Sequence, residues 1–129
     1  MGTATLVDQE IQDGKRLIDA LNQAGLSVNS ALWLYLPEKE TWRLMLTSPI
    51  FDKEGSLKTY KEIISVFGKV QPELKINWMN LVAVSPQHKL IQGLRKLQKD
   101  WNLSLLGKRL TNNTVNHIYV DDAYIYQIE

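Results

Sequence analysis

Few residues in this chain carry chemistry by type and spacing. Glu73-Leu74-Lys75 has the acid-x-Lys spacing of metal-dependent nucleases, in which carboxylates hold a divalent ion and a lysine steadies a hydroxide. Asp52 stands upstream, as such a site requires. A two-position match is common by chance, so the nuclease is the weakest of the readings carried forward. His117 with Asp121 or Asp122 has the residue types of a general-base or metal pair. Four residues of extended chain put roughly 13 Å between His117 and Asp121, too far for a direct pair. A phosphate-binding glycine loop, a nucleophile elbow, a paired-histidine helix motif and a dinucleotide fingerprint are all absent from the sequence. No catalytic residue, metal ligand or cofactor is therefore expected.

Two patterns suit binding better than catalysis. His88, Lys89, Arg95, Lys96 and Lys99 collect on one predicted helix, where they suit phosphate contacts. The bland alternative is a solvated face opposite Leu90, Leu94, Leu97 and Trp101. The second pattern is aromatic and lies on two predicted hairpins. Ser30–Leu36 and Thr41–Thr47 alternate around Pro37-Glu38-Lys39-Glu40. Pairing Leu36 with Trp42 gathers the leucines and Trp42 on one face and leaves Trp33, Tyr35, Arg43 and Met45 on the other. Near the C-terminal end, strands over 114–120 and 123–128 joined tightly at Asp121-Asp122 put His117, Tyr119, Tyr124 and Tyr126 on one face. These eight residues are the expected interface or ligand face. Tyrosine and tryptophan combine an apolar body with a polar tip and are enriched at interaction surfaces, although they also cover sheets to no further end.

The elements that must position these residues follow from periodicity. A helix is expected over Val7–Ala24 with Gly25 as its stop. A second runs from a Ser56 cap through Leu57, Tyr60, Ile63, Ile64 and Phe67 to Gly68. A third begins at Ser85-Pro86. Leu81–Val84 reads as a short central strand, and Lys108–Thr111 as a strand ended by an Asn112-Asn113 turn. The order is α-β-β-α-β-α-β-β-β. It predicts a single α+β domain: a two-layer sandwich of a mostly antiparallel sheet, about five to six strands, with three helices on one face.

Composition bounds the rest. A chain of 129 residues with 44% hydrophobic and 22% charged residues is one ordinary globular domain. A net charge of +1 argues against a generic polyanion binder. The lack of cysteine excludes disulfides and thiolate chemistry and suits the cytoplasm. With neither a leader-like start nor a membrane-length apolar run, a soluble, unanchored protein is expected.

The run from Asn112 to Tyr126 resembles the ending of a family of short uncharacterised bacterial proteins. Ala31-Leu32-Trp33-Leu34-Tyr35, Trp42-Arg43-Leu44 and Val84-Ser85-Pro86 resemble earlier segments of the same family. The resemblance implies a bacterial cytoplasmic protein and transfers no activity. Together these readings favour a protein-interaction module, either a homodimer or an accessory subunit, working through the aromatic face. The alternative is a single-stranded nucleic-acid binder that stacks bases on the tyrosines while the third helix contacts phosphates.

Overall fold

The computed structural model describes Leu6, residues 8–70, Leu74 and residues 76–129. Val7, Glu73 and Lys75, named above, lie outside the described residues. The elements run α1 (Asp8–Gln23), β1 (Ser30–Leu36), β2 (Thr41–Thr47), α2 (Pro49–Val70), a single 3-10 turn (Trp78–Asn80), β3 (Leu81–Val84), α3 (Lys89–Trp101), β4 (Lys108–Val115) and β5 (Ile118–Gln127). The fold is α+β, with three helices and one five-stranded sheet in the order β3-β2-β1-β5-β4. All neighbours pair antiparallel except β2 and β3, whose parallel pairing needs the crossover that α2 supplies.

Both faces of the sheet are covered. Leu17, Ile18 and Leu21 of α1 and Ile63, Val66 and Phe67 of α2 share a core with Trp33, Tyr35, Trp42, Leu44 and Leu46. Leu90, Ile91 and Leu94 of α3 share a second core with Leu32, Met45, Val120, Ala123 and Ile125 on the opposite face. The layers therefore number three rather than the expected two, and no whole face of the sheet is left for an aromatic surface.

Coverage on both sides explains the first correction of register. Leu36 pairs with Thr41, and Tyr35 with Trp42, one residue from the expected alignment. Pro37 to Glu40 form a four-residue connection in which Glu40 takes a left-handed φ of 49°. Leu32 and Leu34 consequently share a face with Met45 and Arg43, while Trp33 and Tyr35 share theirs with Trp42 and Leu44. Segregating leucines confers no advantage when each face meets a helix.

The second correction concerns the C-terminal hairpin. Its turn is Asn116-His117, with both residues left-handed (φ 50° and 69°), the conformation that a two-residue hairpin loop requires. Asn112-Asn113 and Asp121-Asp122 are not turns: they lie within β4 and β5, so two long strands stand where three short ones were expected. Asn112 does adopt a left-handed φ of 51°. It sits between the pairs Thr111↔Asp122 and Asn113↔Val120. Opposite it the alternation of β5 breaks, so Val120 and Ala123, three residues apart, enter the same core. This irregularity, together with Lys108 and Arg109, blunts an edge strand that would otherwise offer unpaired backbone groups.

Helix ends also shift. Ser85 Oγ accepts from the Gln87 N–H at 2.9 Å and forms a turn before the helix, and α3 itself is capped by His88, whose Nδ1 accepts from the Leu90 N–H at 3.1 Å. Trp101, placed by periodicity on the buried stripe of α3, is 72% exposed. The left-handed Asn102 ends the helix there, and the chain turns away with the Leu103 N–H bonded to the Gln98 carbonyl. Helix α2 starts at Pro49 and breaks at Gly55 (φ 90°), so its second part resumes at Ser56, the expected start.

Candidate functional site

Of the expected aromatic face, the structure keeps Trp33, Tyr35, Tyr124 and Tyr126 together, on the side covered by α1 and α2. Trp33 and Tyr35 are 1% and 2% exposed, core residues rather than surface ones. Arg43 and Met45 lie on the opposite face. Met45 is buried against α3, and Arg43 Nε is buried with no hydrogen-bond acceptor among the described residues. His117 belongs to the hairpin turn, and Tyr119 is exposed beside it, with its hydroxyl donating to Asn112 Oδ1 at 2.8 Å.

What stays open is the margin of the face where α1 stops short of β4. A cleft of about 530 Å³ runs there, within the size range of ligand sites. Helix α1 supplies Ile11, Gln12, Lys15 and Ile18, whose spacing sets them along one side of the helix. Strand β5 supplies Tyr124, Tyr126 and Gln127, and the loop before β4 supplies Leu106 and Gly107. A tight turn positions Leu106. The Lys108 N–H bonds to the Leu105 carbonyl at 3.0 Å, and Gly107, at φ 71°, gives its N–H to the Ile125 carbonyl at 2.8 Å. Leu106 is thereby held outward.

The floor of the cleft is rigid. Tyr126 Oη donates to the Ile11 carbonyl at 2.6 Å and accepts from Trp33 Nε1–H at 2.9 Å, tying α1 to two strands. Burial pushes the Tyr126 phenol well above its ordinary range, and the bond from Trp33 works in the other direction. The approach is possible because residue 14 is glycine: a Cβ there would stand 2.2 Å from Tyr126 Oη and 3.0 Å from Trp33 Nε1. Tyr124 packs edge-on against Tyr126, with ring centroids 5.2 Å apart. Gln127 Nε2 donates to the Val28 and Asn29 carbonyls, and the Lys15 ammonium meets Asp19 at 2.8 Å on the rim.

Beyond the cleft, sequence reading missed a cross-sheet clamp. Arg109 on β4 donates from Nε and Nη2 to both carboxylate oxygens of Asp122, at 2.6 and 2.8 Å, and lies 5.4 Å over the ring of Trp42 on β2. Trp42 in turn packs on Tyr35. Only the sign and position of Arg109 were legible beforehand. Gly14 carried a signal of its own, a glycine inside an otherwise regular helical stripe.

The basic residues of α3 are partly committed. His88 is the helix cap. Arg95 donates to the Glu129 carbonyl at 2.8 Å and the Pro86 carbonyl at 2.9 Å, and Lys96 pairs with Asp100. Arg95, Lys96 and Lys99 do share a shallow hollow with Gln92 and Asp100, and Lys89 is exposed at the start of α3. Helix α3 and the tyrosines of the cleft lie on opposite faces of the sheet, so the structure does not bring the cations and the stacking residues together. Asp52 is exposed in the first turn of α2. Among the described residues, no group of three or more His, Asp or Glu is placed to hold a metal ion, and no helix is long and apolar enough to cross a membrane. No family model matches the chain, and neither a curated protein nor a solved structure does.

Proposed function

We propose that the chain is a protein-interaction module and that the open margin of its aromatic face, the cleft between α1 and β5, receives a large apolar side chain from a partner segment. One observation carries this reading: a preformed, largely apolar cleft whose floor is locked by the Tyr126 bonds and whose wall, Leu106, is held 66% exposed. A rigid hollow that accepts an anchor without reorganising is what concentrates binding energy at an interface. The polar rim of Gln12, Lys15 and Gln127 matches the usual setting of such an anchor.

Selection of a displayed peptide library against the whole chain tests it. The expected binders carry an aromatic or long aliphatic residue, shift the amide resonances of Gly107 and Tyr124, and lose at least tenfold in affinity with Leu106→Asp. Binders that map elsewhere and tolerate Leu106→Asp would overturn the reading.

The cluster of Arg95, Lys96 and Lys99 supports a second reading, contact with a nucleic-acid backbone. Single-stranded oligonucleotide binding that weakens with salt and with Lys99→Glu would favour it, and no binding at low salt would remove it.

A further inference from the structure

The outer side of α2 carries apolar residues that the fold does not use. The buried residues of this helix are Thr59, Ile63, Val66 and Phe67. At about 100° per residue, Leu57, Ile64 and Gly68 fall within an arc of about 40° on the other side. Leu57 is 72% exposed and Ile64 39%. Beside them the 3-10 turn presents Trp78 and Met79, 57% and 63% exposed. Ile64, Phe67, Gly68 and Trp78 line an open hollow of about 330 Å³.

Gly68 lines that hollow, and among the described residues nothing asks for a glycine there. Its φ is not left-handed, and a Cβ built on it meets no atom within 4 Å. A helical glycine without such a need costs roughly 0.5–1 kcal/mol relative to alanine. Among the described residues its missing side chain serves no contact, and it leaves room for a group arriving from outside.

We propose that this surface is self-complementary: two copies of the chain pack their α2 helices antiparallel about a two-fold axis, and Leu57 of each fills the hollow at Gly68 of the other. Knob and hollow lie on one helix face, eleven residues or about 16 Å apart. A two-fold axis midway between them satisfies both contacts at once, which is the condition for a closed, isologous pair. The face from Ser56 to Val70 with Trp78 and Met79, taken twice, covers on the order of 1,000–1,200 Å², at the lower bound for a specific interface. Lys61 lies about 20° beyond that arc, close to the axis. Its stem covers apolar surface while its ammonium faces that of the copy, so the association is weak and in the micromolar range. This inference concerns a different surface from the cleft and stands apart from the reading given there.

Sedimentation equilibrium of the full chain from about 1 µM to 1 mM tests it. The expected wild-type mass rises from one chain to two. Leu57→Glu and Gly68→Leu, both at exposed positions, each weaken association at least tenfold, with circular dichroism unchanged. Lys61→Met strengthens association several-fold, and so does raising the salt. A chain that stays single at 1 mM overturns the proposal. So does assembly beyond two copies, or a dimer that tolerates Leu57→Glu and Gly68→Leu; sensitivity to Leu106→Asp instead would locate that dimer at the cleft.

Discussion

Replacing Gly14 by alanine tests the central claim about the cleft, that its floor is set by a contact too close for any side chain. Intrinsic helix propensity alone makes Gly14→Ala stabilising by roughly 0.5–1 kcal/mol. The structure sets a larger effect against it. The new methyl would stand 2.2 Å from Tyr126 Oη and 3.0 Å from both Trp33 Nε1 and Tyr126 Cζ. Tyr126 must move, and overpacking of this kind costs about 1–3 kcal/mol. As the hydroxyl moves it releases the Trp33 indole N–H, in a side chain only 1% exposed, and an unmet buried donor costs about 1–3 kcal/mol more. The expected net loss is about 1–5 kcal/mol, read in urea as a lower midpoint at unchanged slope. Tryptophan fluorescence reports the same transition. The double variant Gly14→Ala/Tyr126→Phe separates the causes: with the hydroxyl gone, alanine at 14 costs at least about 1 kcal/mol less than in wild type. A Gly14→Ala chain as stable as wild type, or an equal loss in both backgrounds, would refute the account.

Three further outcomes follow from the same geometry. His117→Gly relieves a non-glycine residue at φ 69° and raises stability by about 0.5 kcal/mol in urea unfolding, net of the greater freedom of glycine in the unfolded chain. Gly93→Ala drives a methyl to 2.6 Å from Val115 Cγ1 and 2.7 Å from Asn116 Cβ, so α3 must lift from the hairpin end, a loss of about 1–3 kcal/mol visible in thermal unfolding. Burial lowers the His88 pKa below its ordinary value of 6.5. Near that value the unfolded chain binds more protons than the folded one, so His88 contributes stability that is present above pH 6.5 and lost as pH falls through the depressed folded value. The neutral ring is also the form whose Nδ1 can cap Leu90. His88→Asn retains a capping oxygen and flattens that part of the pH profile; a profile identical to wild type would exclude His88 as its source.

What the sequence made legible was the set of elements. The apolar stripes of α1, α2 and α3 and the alternation of β1 and β2 gave the α+β class and the three helices. The faces were harder, for a physical reason. Alternation tells inside from outside only when one face meets water, and here both faces of β1 meet helices, so Leu32 and Trp33 are equally buried. The turn signal misled in the same region. Asn112-Asn113 and Asp121-Asp122 have the composition of turns, and Asn112 does adopt a left-handed φ, but it spends it inside a strand. The true turn, Asn116-His117, lacks the glycine that usually marks one. Trp33 and Tyr35 share a face with Tyr124 and Tyr126, but Arg43 and Met45 lie on the other and the shared face is covered, because helix placement across a sheet is a long-range property that no local pattern encodes. The cleft lies where that coverage ends.

The place of β5 in the sheet also bears on how the chain reaches its folded state. Residues 118–127 lie between β1 and β4, so the edge of β1 that carries Ala31, Leu32, Trp33 and Leu34 stays unpaired until a segment from far downstream arrives. The β1–β2 hairpin closes with a four-residue connection, a local contact of the kind expected to form early. Closing β1 on β5 joins segments about ninety residues apart, the entropically expensive step, and is expected to set the rate. Until then a strand reading Ser-Ala-Leu-Trp-Leu-Tyr-Leu presents an open, strongly apolar edge, the kind of template that recruits other chains. Refolding yield is therefore expected to fall as protein concentration rises, because the open β1 edge waits on docking of the 118–127 segment.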